Sequence, residues 1–223
     1  MFHKSIGQFI AVLWLGWLAT GCTLPNNKPD APTQANNEPT VSQNQTTPSP
    51  PDSAAVQKEV LERANEALTL LTNNQTQQLA TLVHQVKGVR FSPYAYVQPD
   101  KDRVFTANEV AALATNKQLF LWGEYDGSGD PIRLSFSDYR KKFITDKDYL
   151  NQSDSIGFNQ IIGTGNSLNN RTEVYANAQM VEYYQSGKHP DYGGMDWGSL
   201  TLAFEQHNGQ WYLVAVIHNC WTI

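Results

Sequence analysis

Residues 199–221 read SLTLAFEQHNGQWYLVAVIHNCW, and the fold class follows from this stretch. Ser199 to Gln206 places Leu200, Leu202 and Phe204 on one face, the two-residue period of a strand. His207-Asn208-Gly209 is a tight turn, and Asn-Gly is the strongest short hairpin signal. Gln210 to Trp221 returns as the partner strand, with Tyr212, Val214, Val216, His218 and Cys220 on a shared face. Upstream, Thr172 to Tyr184 also alternates: Val174, Ala176, Ala178 and Met180 point one way, and Tyr175, Asn177, Gln179, Val181 and Tyr183 the other. The C-terminal third is therefore expected to be antiparallel sheet.

The N-terminal half of the same domain has the other periodicity. Val56, Val60, Leu61, Ala64, Ala67, Leu68 and Leu71 recur at helical spacing over Ala54 to Leu71, with Ser53 placed to cap. A second helix is expected over Thr76 to Gln85, ended by Gly88. Thr106, followed three residues later by Glu109, has capping-box spacing for a third helix through Ala114. Val89 to Phe91, Gln118 to Tyr125 and Ile132 to Phe136 read as strands, with a fourth short helix over Asp138 to Phe143. The polar segment Thr145 to Arg171 has no assignable period. Helices first and antiparallel strands after argue for an α+β domain, with the helices packed on one sheet face.

This order of elements, with the final run GQWYLVAVIHNCWTI, resembles the NTF2-like (cystatin-like) superfamily. That resemblance implies a cone, its N-terminal helices laid on a bent antiparallel sheet around a pocket. It also implies a homodimer through the sheet as one mode of association. The chain is similar, too, to a group of uncharacterised secreted bacterial proteins that share Gly194-Met195-Asp196-Trp197 and a Trp-Thr-Ile end. The fourth helix and the 145–171 segment depart from the simplest version of this fold, and both are expected to close or reshape the pocket.

Before the domain, Lys4 precedes an uncharged run from Phe9 to Thr20, and small residues follow. This is the layout of an export signal, and the run falls short of the roughly 20 residues that span a bilayer. Leu18-Ala19-Thr20-Gly21-Cys22 resembles the lipobox of bacterial lipoproteins, with Ala19 standing where Leu is commoner. The resemblance implies cleavage before Cys22 and lipidation of that cysteine, so that residues 1–21 form a signal peptide. Residues 22–53 carry seven of the chain's eleven prolines and almost no large apolar residue, a composition expected to form a disordered tether. Its 31 residues after the cysteine reach on the order of 100 Å when extended. Residues 54–223 are left as one globular domain. The expected address is a bacterial cell envelope, on a membrane through lipidated Cys22. Thr23 in place of Asp favours the outer membrane where the cell has one.

A net charge of −5 without a basic run speaks against nucleic acid. Asp126-Gly-Ser128-Gly-Asp130 spaces oxygens like a calcium loop. However, Pro131 and Ser137 replace the Gly and bidentate Glu that the cation needs, so the segment reads as a hairpin turn. Gly163-Thr164-Gly165 lacks the third glycine and following helix of a dinucleotide loop. The histidines have no metal-ligand spacing, and no cofactor is implied.

Three candidates for chemistry remain. Glu182 ends the apolar row Val174 to Met180; on the buried side of a sheet its carboxyl would work as an acid or base, and at the strand's exposed end it would be a solvated charge. His218 and Cys220 share a face and would make a thiolate nucleophile, although residues two apart on a strand lie about 6.5 to 7 Å from Cα to Cα, not a natural donor–acceptor geometry. Tyr94, Tyr96 and Trp122 are candidate ligand-binding aromatics at a pocket mouth. The expected role is non-catalytic binding of a small ligand or an envelope protein. The alternatives are a pocket hydrolase or isomerase using Glu182 or the Cys220/His218 pair, and a structural interaction module.

Overall fold

A computed structural model describes residues 53–222. The signal peptide over 1–21, Cys22, the tether as far as Asp52, and Ile223 lie outside the described residues. The described chain is α+β. Its order is α1 (Ser53–Thr72), α2 (Thr76–Leu82), β1 (Val89–Ser92), β2 (Arg103–Phe105), α3 (Ala107–Ala112), β3 (Phe120–Glu124), β4 (Pro131–Leu134), α4 (Phe136–Phe143), β5 (Ser155–Phe158), α5 (Arg171–Val174), β6 (Gln179–Gln185), a short 3-10 turn (Pro190–Tyr192), β7 (Gly198–His207) and β8 (Gln210–Cys220).

Six strands form one sheet in the order β2-β1-β8-β7-β6-β5, and β3 and β4 pair separately. The β7–β8 hairpin turns at Asn208 and Gly209, both at positive φ (49° and 78°), as an Asn-Gly turn requires. The sheet is mixed, not wholly antiparallel, because β1 runs parallel to β8 with Phe91 opposite Val216. No hairpin joins these two strands, so no turn forces an antiparallel direction on them.

Helix α1 buries Val60, Ala64, Ala67, Leu68 and Leu71. The Tyr183 hydroxyl of β6 donates to Asn65 Oδ1 at 2.8 Å and fixes the helix on the sheet. Leu200, Leu202 and Phe204 enter this helix-side core with Leu213 and Val216. The space between helices and sheet is filled by side chains, including a cluster in which Trp122 stacks on Tyr139 at 3.9 Å between centroids. The capping box of α3 is complete: Thr106 Oγ1 accepts from Glu109 N, and Thr106 N donates to the Glu109 carboxylate at 2.7 Å.

The opposite sheet face is covered by the chain's own residues 159–178, an irregular strap. Met180, Ala203, Ala215 and Ile217 pack there with Val97, Val174 and Ala178. Two expectations need correction here. Thr172 to Tyr184 is not one strand: Arg171–Val174 is a helical turn, and strand begins only at Gln179. Small Ala176 and Ala178 offer little apolar gain from a paired strand, and Tyr175 N bonds to Arg171 O instead. Tyr212 to Cys220 do not share one face either. The register slips between Ala203 and Phe204, and the bulge sends Val214 to the strap side while Val216 stays on the helix side.

Candidate functional site

A cleft of about 560 Å³ opens where three segments meet. Tyr94, Tyr96 and Gln98 follow β1; Glu124 ends β3, and Tyr125 to Gly129 lie in the turn to β4; Asn166, Ser167 and Leu168 come from the strap. Tyr94 rests edge-on against Phe143 at 5.9 Å, and burial raises its phenol pKa. Tyr96 is 48% exposed and presents its ring to the opening. Lys101 bonds to Glu124 at 2.7 Å, and the Lys142 ammonium lies 4.4 Å from the Tyr125 ring centroid.

The walls are tied to one another. Asn170 bonds Val97 twice, accepting from its N–H at 2.8 Å and donating to its carbonyl at 2.9 Å, as a strand neighbour would. Ser167 Oγ meets Thr222 Oγ1 at 2.8 Å, so the strap is also held by the chain's end. Beneath it lies a buried ion pair. Arg171 Nη2 reaches Glu182 Oε2 at 2.7 Å and the Gln160 carbonyl at 2.8 Å, while Nη1 donates to Thr201 Oγ1 at 2.5 Å. Glu182 also accepts the N–H groups of Ile162 (3.0 Å) and Gly163 (2.9 Å). Residue 163 must be glycine for this approach: a Cβ there would stand 2.6 Å from the Trp197 ring and 2.9 Å from Ser199 Oγ.

The candidates from sequence are thereby distributed. Tyr94 and Tyr96 line the cleft together. Trp122 does not: strand alternation turns it inward to full burial, its Nε1–H donating to the Leu134 carbonyl at 2.9 Å. Glu182 is wholly buried, not at an exposed strand end, and its carboxylate is committed to Arg171 and two backbone donors. His218 Nδ1 faces the Pro93 carbonyl at 2.9 Å, which can only accept, so this nitrogen carries its proton. Nε2 meets Asp146 Oδ2 at 3.2 Å. Both ring nitrogens thus serve partners other than Cys220. The Cys220 thiol is pushed up to about 11, first by burial and then by the Asp146 and Asp126 carboxylates. A thiol so placed is the reverse of an activated nucleophile. In the chain carrying Cys22→Ala, whose single thiol is Cys220, disulfide exchange at pH 7.5 is expected roughly 100-fold slower than for free cysteine. A rate equal to that of free cysteine would contradict this environment.

Two residues of consequence escaped sequence reasoning. Arg171 sits in an Asn-rich stretch with no pattern around it, yet a carboxylate among apolar residues demands a buried cation, and that demand was the available signal. Asp102 is 6% exposed; it accepts from Ser92 Oγ at 2.6 Å and Gln98 N at 2.8 Å, and burial pushes its carboxyl up to about 6. Its other oxygen, Oδ1, has no hydrogen-bond partner among the described residues. Because Gln98 lines the cleft, Asp102 supports that wall.

No protein-family model matches the chain, and no curated protein matches it. Among solved structures, a protein named Rd1NTF2_05, carrying five substitutions, aligns with a TM-score of 0.30 and 11% identity, over 75% of this chain and 99% of its own.

Proposed function

We propose that the chain is a lipid-anchored protein of the bacterial envelope whose single domain, of NTF2-like descent, binds a small ligand without transforming it. The observation that carries the reading is the open, aromatic-lined cleft at Tyr94 and Tyr96. Its volume lies within the range of small-molecule sites, and polar groups stand beside its rings. The disposition of Glu182, His218 and Cys220 supports a non-catalytic role, since each is engaged or deactivated where it stands. The NTF2-like assignment rests on helices packed against one face of a sheet and on the long C-terminal hairpin.

The test is amide NMR of the full chain against a library of small polar fragments. Shifts are expected to gather at residues 94–98, 124–129 and 166–168. Hits gathering elsewhere, or hydrolysis of a simple ester or thioester that Cys220→Ala removes, would overturn the reading. The anchor has its own measurement. Cys22→Ala is expected to abolish labelling by a fatty-acid probe and release the protein from the membrane fraction; labelling that persists would place the lipid elsewhere.

A further inference from the structure

The chemistry of the cleft narrows what it takes. Resting on the binding reading above, we infer that its ligand is a neutral saccharide. Three phenol rings, Tyr94, Tyr96 and Tyr125, line it together with the Gln98 amide, the Asp126 carboxylate and Asn166, whose amide is held by Thr222. Among the described residues that line it, none is Lys, Arg or His. An anion would therefore meet the Asp126 carboxylate with no cation in the lining, a like-charge cost. An ammonium ligand is disfavoured from the other side. It would meet like charge at the rim, where the Lys142 ammonium lies 4.4 Å from the Tyr125 ring centroid and Lys101 already neutralises Glu124 at 2.7 Å. A wholly apolar ligand would cover the Gln98 amide and the Asp126 carboxylate without pairing them, which costs free energy for each group desolvated.

A sugar ring satisfies both halves of this lining. Its axial C–H groups give an apolar face for a tyrosine ring, and its rim of hydroxyls donates to Asp126 and exchanges hydrogen bonds with the Gln98 amide. The half-exposed Tyr96 and the exposed Leu168 leave the cleft open to one side, so that a chain of sugars could continue out of it. The strap is held by Asn170 on Val97 and by Thr222 on Ser167, so the polar groups are set before the ligand arrives.

The experiment uses the full chain in a polyoxyethylene detergent, free of sugar and choline groups. It is titrated by amide NMR with malto-, cello-, manno- and N-acetylchito-trioses, and separately with choline chloride. At least one trisaccharide is expected to bind saturably and to shift residues 94–98 and 166–168. Tyr96→Ala is expected to weaken it up to about 10-fold, the scale of one lost ring contact. Tyr96 is half-exposed, so this variant keeps the fold. Saccharide binding that ignores Tyr96→Ala overturns the inference, because the sugar then sits elsewhere. Shifts at the cleft from choline or the fragment library, with none from the four sugars, overturn the saccharide class and leave the binding reading standing. No cleft shift from any probe overturns both.

Discussion

Glu182→Gln is expected to destabilise the domain by about 3–5 kcal/mol, the scale for removing one partner of a buried ion pair. The guanidinium of Arg171 is 2% exposed and would be left without its counter-charge. Such a loss is a large part of the ~5–15 kcal/mol by which a domain of this kind is stable. The strap would suffer first, since the Ile162 and Gly163 amides and Arg171 all converge on this carboxylate. The cleft wall at Asn166 to Leu168 would loosen with it. The double variant Arg171→Met with Glu182→Gln removes the stranded cation and keeps an amide oxygen for Gly163. It is expected to be more stable than Glu182→Gln alone, although it carries one more substitution. Urea unfolding of the three proteins measures this. A single variant costing under about 1 kcal/mol, or a double variant worse than the single, would mean that water reaches the pair.

Asp102 sets the second large effect. Its carboxyl is pushed up to about 6 in the folded chain, against 3.8 for the free group, with burial as the leading cause. The folded state therefore holds this proton more tightly than the unfolded one. The stabilisation is fully present below about pH 4 and is lost as pH rises through about 6. The span corresponds to about 3 kcal/mol. Asp102→Asn should abolish this loss. The amide oxygen can still accept from Ser92 Oγ and Gln98 N, and no charge forms. Measured by urea unfolding from pH 4 to pH 8, the variant should gain about 3 kcal/mol on the parent across that window. Asp154, Asp196 and Glu109 are held low by their hydrogen bonds, and their contributions fade only as pH falls through the carboxylate range. They are common to both proteins and cancel in the difference. Parallel curves for parent and variant would show that Asp102 is solvated.

How far the site was legible differs residue by residue. Tyr94 and Tyr96 follow a short strand and reach a surface, and aromatic residues with polar tips in such a place suggest a pocket on sight. Trp122 looked alike in one dimension, but its neighbours Leu121 and Gly123 settle nothing about which strand face meets the core. Only the packing of Phe91, Phe136 and Tyr139 around it decides that. Glu182 was visible as an anomaly, a carboxylate closing an apolar row. Its partner was not, because Arg171 is delivered by a turn inside a stretch whose alternation mimics strand. The pairing of His218 with Asp146, 72 residues away, left no local trace at all.

Local chemistry was enough to determine the amphipathic α1, the capping box of Thr106 and Glu109, the Asn-Gly hairpin and hence the α+β class. Each of these is governed by interactions within a few residues along the chain. The tertiary structure alone decided the parallel pairing of β1 with β8, the bulge that sends Val214 across the sheet, the strap over the far face and the meeting of three segments at the cleft. These depend on partners distant in sequence, where the free energy of burial and of pairing buried charges outweighs local preference.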